Sequence, residues 1–303
     1  MFTEMKNYFI TINKTMTIKN VIYSIIIFSN LMFGCSKSNL DNLNSNDKIK
    51  SIRERAYLAT DENGIISVGD QIDPSIGRHN YFDLFNEDGL LVKSILFDGN
   101  ENINRSTTFE YDSNNNITKE TYFNSTGEFT GMREYYYEDD LIKQKCLTTT
   151  NSNASSCITY NYNNDNILVE ERSYSSGYLS YISEVKIIKN GLILITEKTI
   201  SYVEDDQQIV FVKTIEEEGK KIYDEITIDT GVDFGSTIIE YQYDNLGNII
   251  EREITSTGNY QEDRTTKYIY TYEEYDGNNN WITMYIHFNT ELWIIIKREI
   301  EYY

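Results

Sequence analysis

Proline occurs once in this chain of 303 residues (Pro74), histidine twice (His79 and His287) and alanine three times (Ala56, Ala59 and Ala154). Alanine is the best helix former, so its near absence makes an α-rich fold a poor expectation. The two histidines are far apart and neither has a metal-spaced partner, which removes the common zinc and histidine-base arrangements. Gly-x-Ser-x-Gly, His-Glu-x-x-His, Gly-x-x-x-x-Gly-Lys-Ser/Thr and Gly-x-Gly-x-x-Gly are all missing, so no cofactor is expected. Basic residues are also scarce, 27 against 48 acidic ones, for a net charge of -21. Such a surface repels phosphate backbones and anionic headgroups, which excludes nucleic acid as a partner and electrostatic attachment as a route to a membrane. Present in quantity are Tyr (26) and Phe (13), with aromatic residues at 14%. They supply enough apolar area for a core and suit pleated, half-buried surfaces, so an ordered all-β protein is predicted.

The N-terminus reads as an export label. Val21 to Phe33 is an apolar run behind Lys14 and Lys19, ending at Gly34-Cys35. It is too short for a comfortable membrane span, and its basic, apolar and small-residue order is that of a secretory signal. A cysteine directly after the small residue resembles the lipobox of bacterial lipoproteins. That resemblance implies diacylation of Cys35, cleavage before it, and a membrane partner reached through the lipid. Met16 offers an alternative start with a compact basic region. Loss of residues 1–34 takes away three Lys and one Glu, leaving 269 residues with a net charge of -23. The predicted divisions are a signal peptide over 1–34, lipidated Cys35 with a flexible tether over 35–50, and a repeat domain over 51–303.

Within that domain one pattern recurs: aromatic, any residue, aromatic, Asp/Asn/Glu, a few turn-formers, then an aliphatic residue. Tyr241-Gln242-Tyr243-Asp244-Asn245-Leu246-Gly247-Asn248-Ile249 and Phe109-Glu110-Tyr111-Asp112-Ser113-Asn114-Asn115-Asn116-Ile117 are the clearest copies. Anchored on the residue after the second aromatic, the copies fall at 61, 86, 112, 138, 163, 189, 216, 244 and 276, in steps of 25 to 28 and a last one of 32. Side chains alternate with period two within each copy, as in a strand, and the Asp/Asn/Gly segment reverses the chain. A second reversal about ten residues later, as at Asn124 to Gly127, completes a hairpin. The prediction is therefore tandem antiparallel β-hairpin repeats of about 26 residues, some 16 to 18 strands, forming a long, twisted and curled sheet whose inner face carries Tyr, Phe and Ile.

The Tyr111-Asp112, Tyr243-Asp244 and Tyr275-Asp276 pairs resemble the YD repeat of the RHS family. The ending Asn280-Trp281 with Arg298 to Tyr303 is similar to that of small YD-type lipoproteins. The resemblance implies hairpin sheets wound into a shell, with roles in adhesion, encapsulation or toxin partnership.

Cys146 and Cys157, an even pair in an exported chain, are predicted to form a disulfide across a polar loop over residues 147–156, worth about 3 kcal/mol in the chain-entropy model. Carboxylate groups at Glu138-Asp139-Asp140 and Asp205-Asp206 are read as solvated turns, and the turns Asp112 to Asn116 and Asp276 to Asn280 lack the final Glu of a calcium loop. The sequence thus predicts a non-enzymatic, lipid-anchored protein of the bacterial cell envelope, on the outer membrane, binding glycan or protein or serving as an adhesion or scaffold module. The alternatives are a polysaccharide-acting enzyme with paired carboxylates and an immunity-like partner of a secreted toxin.

Overall fold

The computed structural model describes residues 48–62, 65–72, 80–150, 152–203, 209–231, 234–258 and 261–303. The predicted leader over 1–34, Cys35 and His79 lie outside the described residues. The tether predicted over 35–50 gives way to the first strand at Ile49.

Every described element is a β-strand. In chain order they begin β1 (Ile49–Glu62), β2 (Ile65–Gln71), β3 (Tyr81–Phe85), β4 (Leu91–Phe97), β5 (Ile103–Tyr111), β6 (Ile117–Phe123) and β7 (Phe129–Glu138). There follow β8 (Leu141–Thr149), β9 (Ser152–Tyr162), β10 (Leu168–Ser175), β11 (Tyr178–Asn190), β12 (Ile193–Tyr202) and β13 (Ile209–Glu217). The chain ends with β14 (Lys220–Asp229), β15 (Phe234–Tyr243), β16 (Ile249–Gly258), β17 (Gln261–Tyr275), β18 (Trp281–Phe288) and β19 (Glu291–Tyr302).

From β3 onward each strand pairs antiparallel with the next, and β19 pairs antiparallel with β1 from Ile49↔Tyr302 to Leu58↔Ile294. On its other edge β1 pairs with β3 at Ser51 to Arg53, then with β2 from Tyr57 to Glu62. The sheet is thus a closed barrel of 18 strands, β1 and β3 through β19, with β2 added at one end. The expected long, twisted and curled sheet of hairpins is closed on itself. Hairpin periodicity is a local signal, whereas closure is a pairing between the two ends of the chain, and it removes the edges an open sheet would expose.

The cadence of the sequence has a structural cause. Asn86, Asp98, Asp112, Asn124, Asn163, Asp244 and Asp276 each open the same turn. The first residue's N–H donates to the carbonyl four residues on, its carbonyl accepts from the N–H three residues on, and its Oδ1 accepts from the N–H groups two and four residues on. The fourth position has positive φ and is Gly, Asn or, once, Glu101. This is a type I turn closed by a left-handed residue, and the strand register slips beside each one. Asp139-Asp140, Ser176-Gly177, Glu218-Gly219 and Asn289-Thr290 are instead two-residue loops with both residues at positive φ.

The second aromatic of the pattern ties one hairpin to the last. Tyr111 donates to the Leu91 carbonyl (2.8 Å), Tyr137 to Ile117 (3.1 Å), Tyr162 to Ile142 (2.9 Å) and Tyr243 to Lys221 (2.6 Å), and in the last copy Tyr272, three residues before the second aromatic Tyr275, donates to Ile249 (2.8 Å). Each acceptor is the first or second residue of the preceding return strand. The final residue, Tyr303, donates to the Phe85 carbonyl (2.6 Å) and so joins the last unit to the first. Eight of the nine sequence anchors lie at this end of the barrel, beside both Ile49 and Tyr302. Asp61 does not: it lies at the far end of β1, where the β1–β2 ladder terminates.

One register of side chains is buried all round the ring, including Ala56, Val210, Ile226, Ile239, Ile294 and Ile296. In a single-walled barrel only the concave side makes side chains converge, so this register faces inward. Its main apolar cluster joins Ala56, Met284, Ile286, Ile294 and Ile296 to Ile72, which follows β2 and packs inside the seam.

Candidate functional site

Eighteen strands spaced about 4.8 Å apart and tilted by about 40° enclose a perimeter of roughly 110 Å, the class of barrel that surrounds an aqueous interior. Among the described residues no hydrogen bond, ion pair or ring contact links opposite walls. The inner wall is therefore the largest concave surface of the molecule, and it is polar as well as aromatic.

Four of the inward carboxylates organise it. Glu54 on β1 accepts from Tyr81 Oη (3.1 Å) and Arg298 Nε (2.8 Å), and the Arg298 guanidinium lies 3.3 Å over the Trp281 ring. Glu120 on β6 accepts from the hydroxyls of Tyr122 and Tyr135 and pairs with Arg133 (3.4 Å). Glu171 on β10 pairs with Lys198 (2.7 Å). Asp224 on β14 accepts from Thr214 Oγ1 (2.8 Å) and Tyr241 Oη (3.1 Å) and pairs with Lys221 (3.1 Å).

These tyrosines act as neutral donors. Burial, followed by donation to Glu120, pushes the Tyr135 hydroxyl up to about 12, and burial raises Tyr122 and Tyr241 as well. Each carboxylate therefore meets a cation, and three of the four also accept from hydroxyls. Glu120, Glu171 and Asp224 stand four strands apart, roughly 19 Å along the wall, whereas Glu54 has a second inward carboxylate beside it, Asp83 on the adjacent strand β3, opposite Ile52.

Two inward cations differ from the rest. Lys145 on β8 stands with its Nζ 5.4 Å over the Tyr160 ring, and burial, then the charge of Arg133, lowers its pKa. Arg252 on β16 is 7% exposed and stacks its guanidinium 4.5 Å over Tyr268.

The outer wall is charged at mid-strand. Lys186, Glu197, Lys213 and Glu225 are successive cross-strand partners on β11 to β14, a row of alternating sign. Arg55–Glu299 (2.7 Å), Glu110–Lys119 (3.6 Å) and Glu251–Lys267 (2.7 Å) continue the pattern elsewhere on that face. Lys186 and Glu299 are 68% and 72% exposed.

Cys146 and Cys157 are direct cross-strand partners on this outer face, with a Cα–Cα distance of 4.1 Å and their sulfurs bonded. The predicted polar loop between them is shorter than expected, because β8 runs to Thr149 and β9 starts at Ser152. Thr and Ser flanking a cross-strand bridge extend the ladder. Glu138 to Asp140 form a hairpin tip, and Asp205-Asp206 lie outside the described residues. The carboxylate of Asp112 is taken up by its own turn, that of Asp276 by its turn through Oδ1 and by the Tyr302 hydroxyl through Oδ2, and hydrogen bonding from Asn116 holds Asp112 below the usual carboxylate range. His287 is a strand residue of the outer face, opposite Ile269 and Leu292. The sequence reading missed the inward Glu54, Glu120, Glu171 and Asp224. Their signal was parity, since Glu120 shares the register of Tyr122, and Arg133 that of Tyr135 and Tyr137.

No protein-family model matches this chain, and no curated protein matches it. Among solved structures it is similar to a porin-like protein from Bacteroides uniformis, with 11% identity, a TM-score of 0.41, and coverage of 84% of this chain and 98% of that one. A porin-like protein from Bacteroides vulgatus is similar at 14% identity and a TM-score of 0.38, covering 66% of this chain and 94% of that one.

Proposed function

We propose that this protein is a lipid-anchored barrel of the bacterial envelope that stands clear of the bilayer and binds a glycan or protein ligand without transforming it. The observation that carries the reading is the charged row Lys186–Glu197–Lys213–Glu225 on the outer wall. A barrel inserted in a membrane presents an apolar band outward, and each Lys or Arg at the bilayer midplane costs about 2–4 kcal/mol. Several such residues at mid-strand disfavour insertion, so attachment falls to the acyl chains on Cys35. The barrel's N-terminal strand starts at the end formed by the Asp and Tyr turns, which favours that end facing the lipid. The repeat cadence supports kinship with YD-type lipoproteins, and the committed carboxylates of the inner wall favour binding over hydrolysis.

Detergent phase partitioning of the full-length protein and its Cys35→Ser variant tests this. The parent should enter the detergent phase and the variant the aqueous phase, with the same β-sheet circular dichroism. A folded variant that stays with the detergent and resists alkaline extraction would show that the barrel itself is membrane-embedded.

A further inference from the structure

The arc of inner wall from β6 to β12 gathers three cations at mid-strand, Arg133, Lys145 and Lys198, against two carboxylates, Glu120 and Glu171. The two carboxylates are committed, Glu120 to Arg133 at 3.4 Å and Glu171 to Lys198 at 2.7 Å, while Lys145 shares neither ion pair. Lys145 is half-buried on the concave face, directly across the ladder from Tyr135 and Ile158, with the Tyr160 ring beside its ammonium. A partly desolvated ammonium flanked by like charges is costly unless an anion completes it. In a chain with a net charge of -21, with Glu and Lys alternating on the outer wall, this local excess of positive charge turned inward is out of keeping with the rest of the molecule.

We infer that the inner wall around Lys145 is a binding site for an acidic oligosaccharide, with the ligand's carboxylate or sulfate on the Lys145 ammonium and its sugar rings against the neighbouring tyrosines. The inference deepens the binding role proposed above and rests on it. Tyr135, Tyr160, Tyr162 and Tyr181 lie on the same face as Lys145 and offer ring surface to the sugars. The cation selects charge, and the tyrosines select a saccharide over a bare anion. Because the molecule as a whole repels anions, affinity comes from the local contact rather than from long-range steering.

Calorimetric titration of the full-length protein in neutral detergent with three hexasaccharides tests this: an oligogalacturonate, a sulfated oligomer and a neutral maltohexaose. Binding of one or both acidic oligomers at least 10-fold tighter than the neutral one is expected, and which of the two is preferred distinguishes carboxylate from sulfate as the recognised group. Lys145→Met should weaken that binding at least 10-fold and Lys145→Arg should largely retain it, while the outer-wall change Lys186→Met should have no effect. Equal binding of the neutral oligomer, no binding of either acidic one, or full affinity in Lys145→Met overturns the assignment. Loss of affinity on Lys186→Met but not on Lys145→Met would place the ligand outside the barrel. Because the anchor is tested separately by phase partitioning, failure of the ligand assignment and failure of the anchored-barrel reading give different results.

Discussion

Asn80 substitutes for a strand. Its Oδ1 accepts from the Ala56 backbone N–H at 2.9 Å and its Nδ2 donates to the Ile72 carbonyl, while the Ile72 N–H donates to the Ala56 carbonyl at 2.9 Å. Ala56 lies in the gap on β1 between the stretch paired with β3 and the stretch paired with β2. The side-chain amide thus carries the ladder across the seam where the ring closes. Asn80 is fully buried and has φ 68°, a conformation Asn tolerates better than most residues.

Replacement of Asn80 should therefore be among the most damaging single changes. Asn80→Ala leaves two buried backbone groups unpaired and places a Cβ-bearing residue without a compensating bond at positive φ, for an expected loss of about 2–4 kcal/mol. Asn80→Gly relieves the backbone part alone and should lose less. Urea denaturation followed by circular dichroism ranks the two, and equal stability of Asn80→Ala and the parent would contradict the seam role.

The Cys146–Cys157 bridge closes a short loop already held by the β8–β9 ladder. Reduction, or Cys146→Ser with Cys157→Ser, is expected to lower stability by about 2–3 kcal/mol through the unfolded chain. Denaturation midpoints with and without reductant check this. The double variant should be insensitive to reductant, and a parent equally insensitive would show that the bridge contributes nothing.

How much of this could be read from the sequence depends on the range of each interaction. The turns opened by Asp112, Asp244 and Asp276 were legible because a side-chain oxygen and a left-handed residue three places later are written within five residues. The tyrosine rungs were legible as a period, since Tyr111 and Tyr137 do the same work one hairpin apart. Closure was not, because Ile52 meets Ile300 across nearly the whole chain and neither residue announces it. Asp61 was misplaced for the same reason: β1 has 14 residues because it serves β19, β3 and β2 together, so its far end falls out of phase. The site was half legible. Parity put Tyr and Ile inward, but the charges among them were absorbed into an acidic composition that read as surface.

The inner-wall tyrosines give stability a dependence on alkaline pH. Tyr135 titrates near 10 in the unfolded chain and at about 12 in the folded one, through burial first and its bond to Glu120 second. Between those values the folded state holds the extra proton, so this contribution is complete below pH ~10 and is lost as pH rises through about 12. Urea midpoints should be level from pH 8 to 10 and then fall. Tyr135→Phe should make that fall shallower, and an unchanged slope would mean that Glu120 does not hold this hydroxyl.

Thr290 offers the converse test, a change expected to stabilise. It occupies the second position of the β18–β19 loop at φ 79°, where a β-branched side chain crowds its own backbone. Its neighbour Asn289 suits the left-handed region and also accepts from the Lys267 N–H at 2.9 Å, so the loop geometry is fixed from outside and cannot relax to suit Thr290. Two-residue hairpin loops of this kind favour Asn-Gly. Thr290→Gly should thus raise stability by about 1 kcal/mol, because the strain removed in the folded state exceeds the entropy added to the unfolded one. Thr290→Val keeps the branching and should bring no gain. If thermal melts place Thr290→Gly at or below the parent, the left-handed conformation at this loop is not the strained feature it is taken to be.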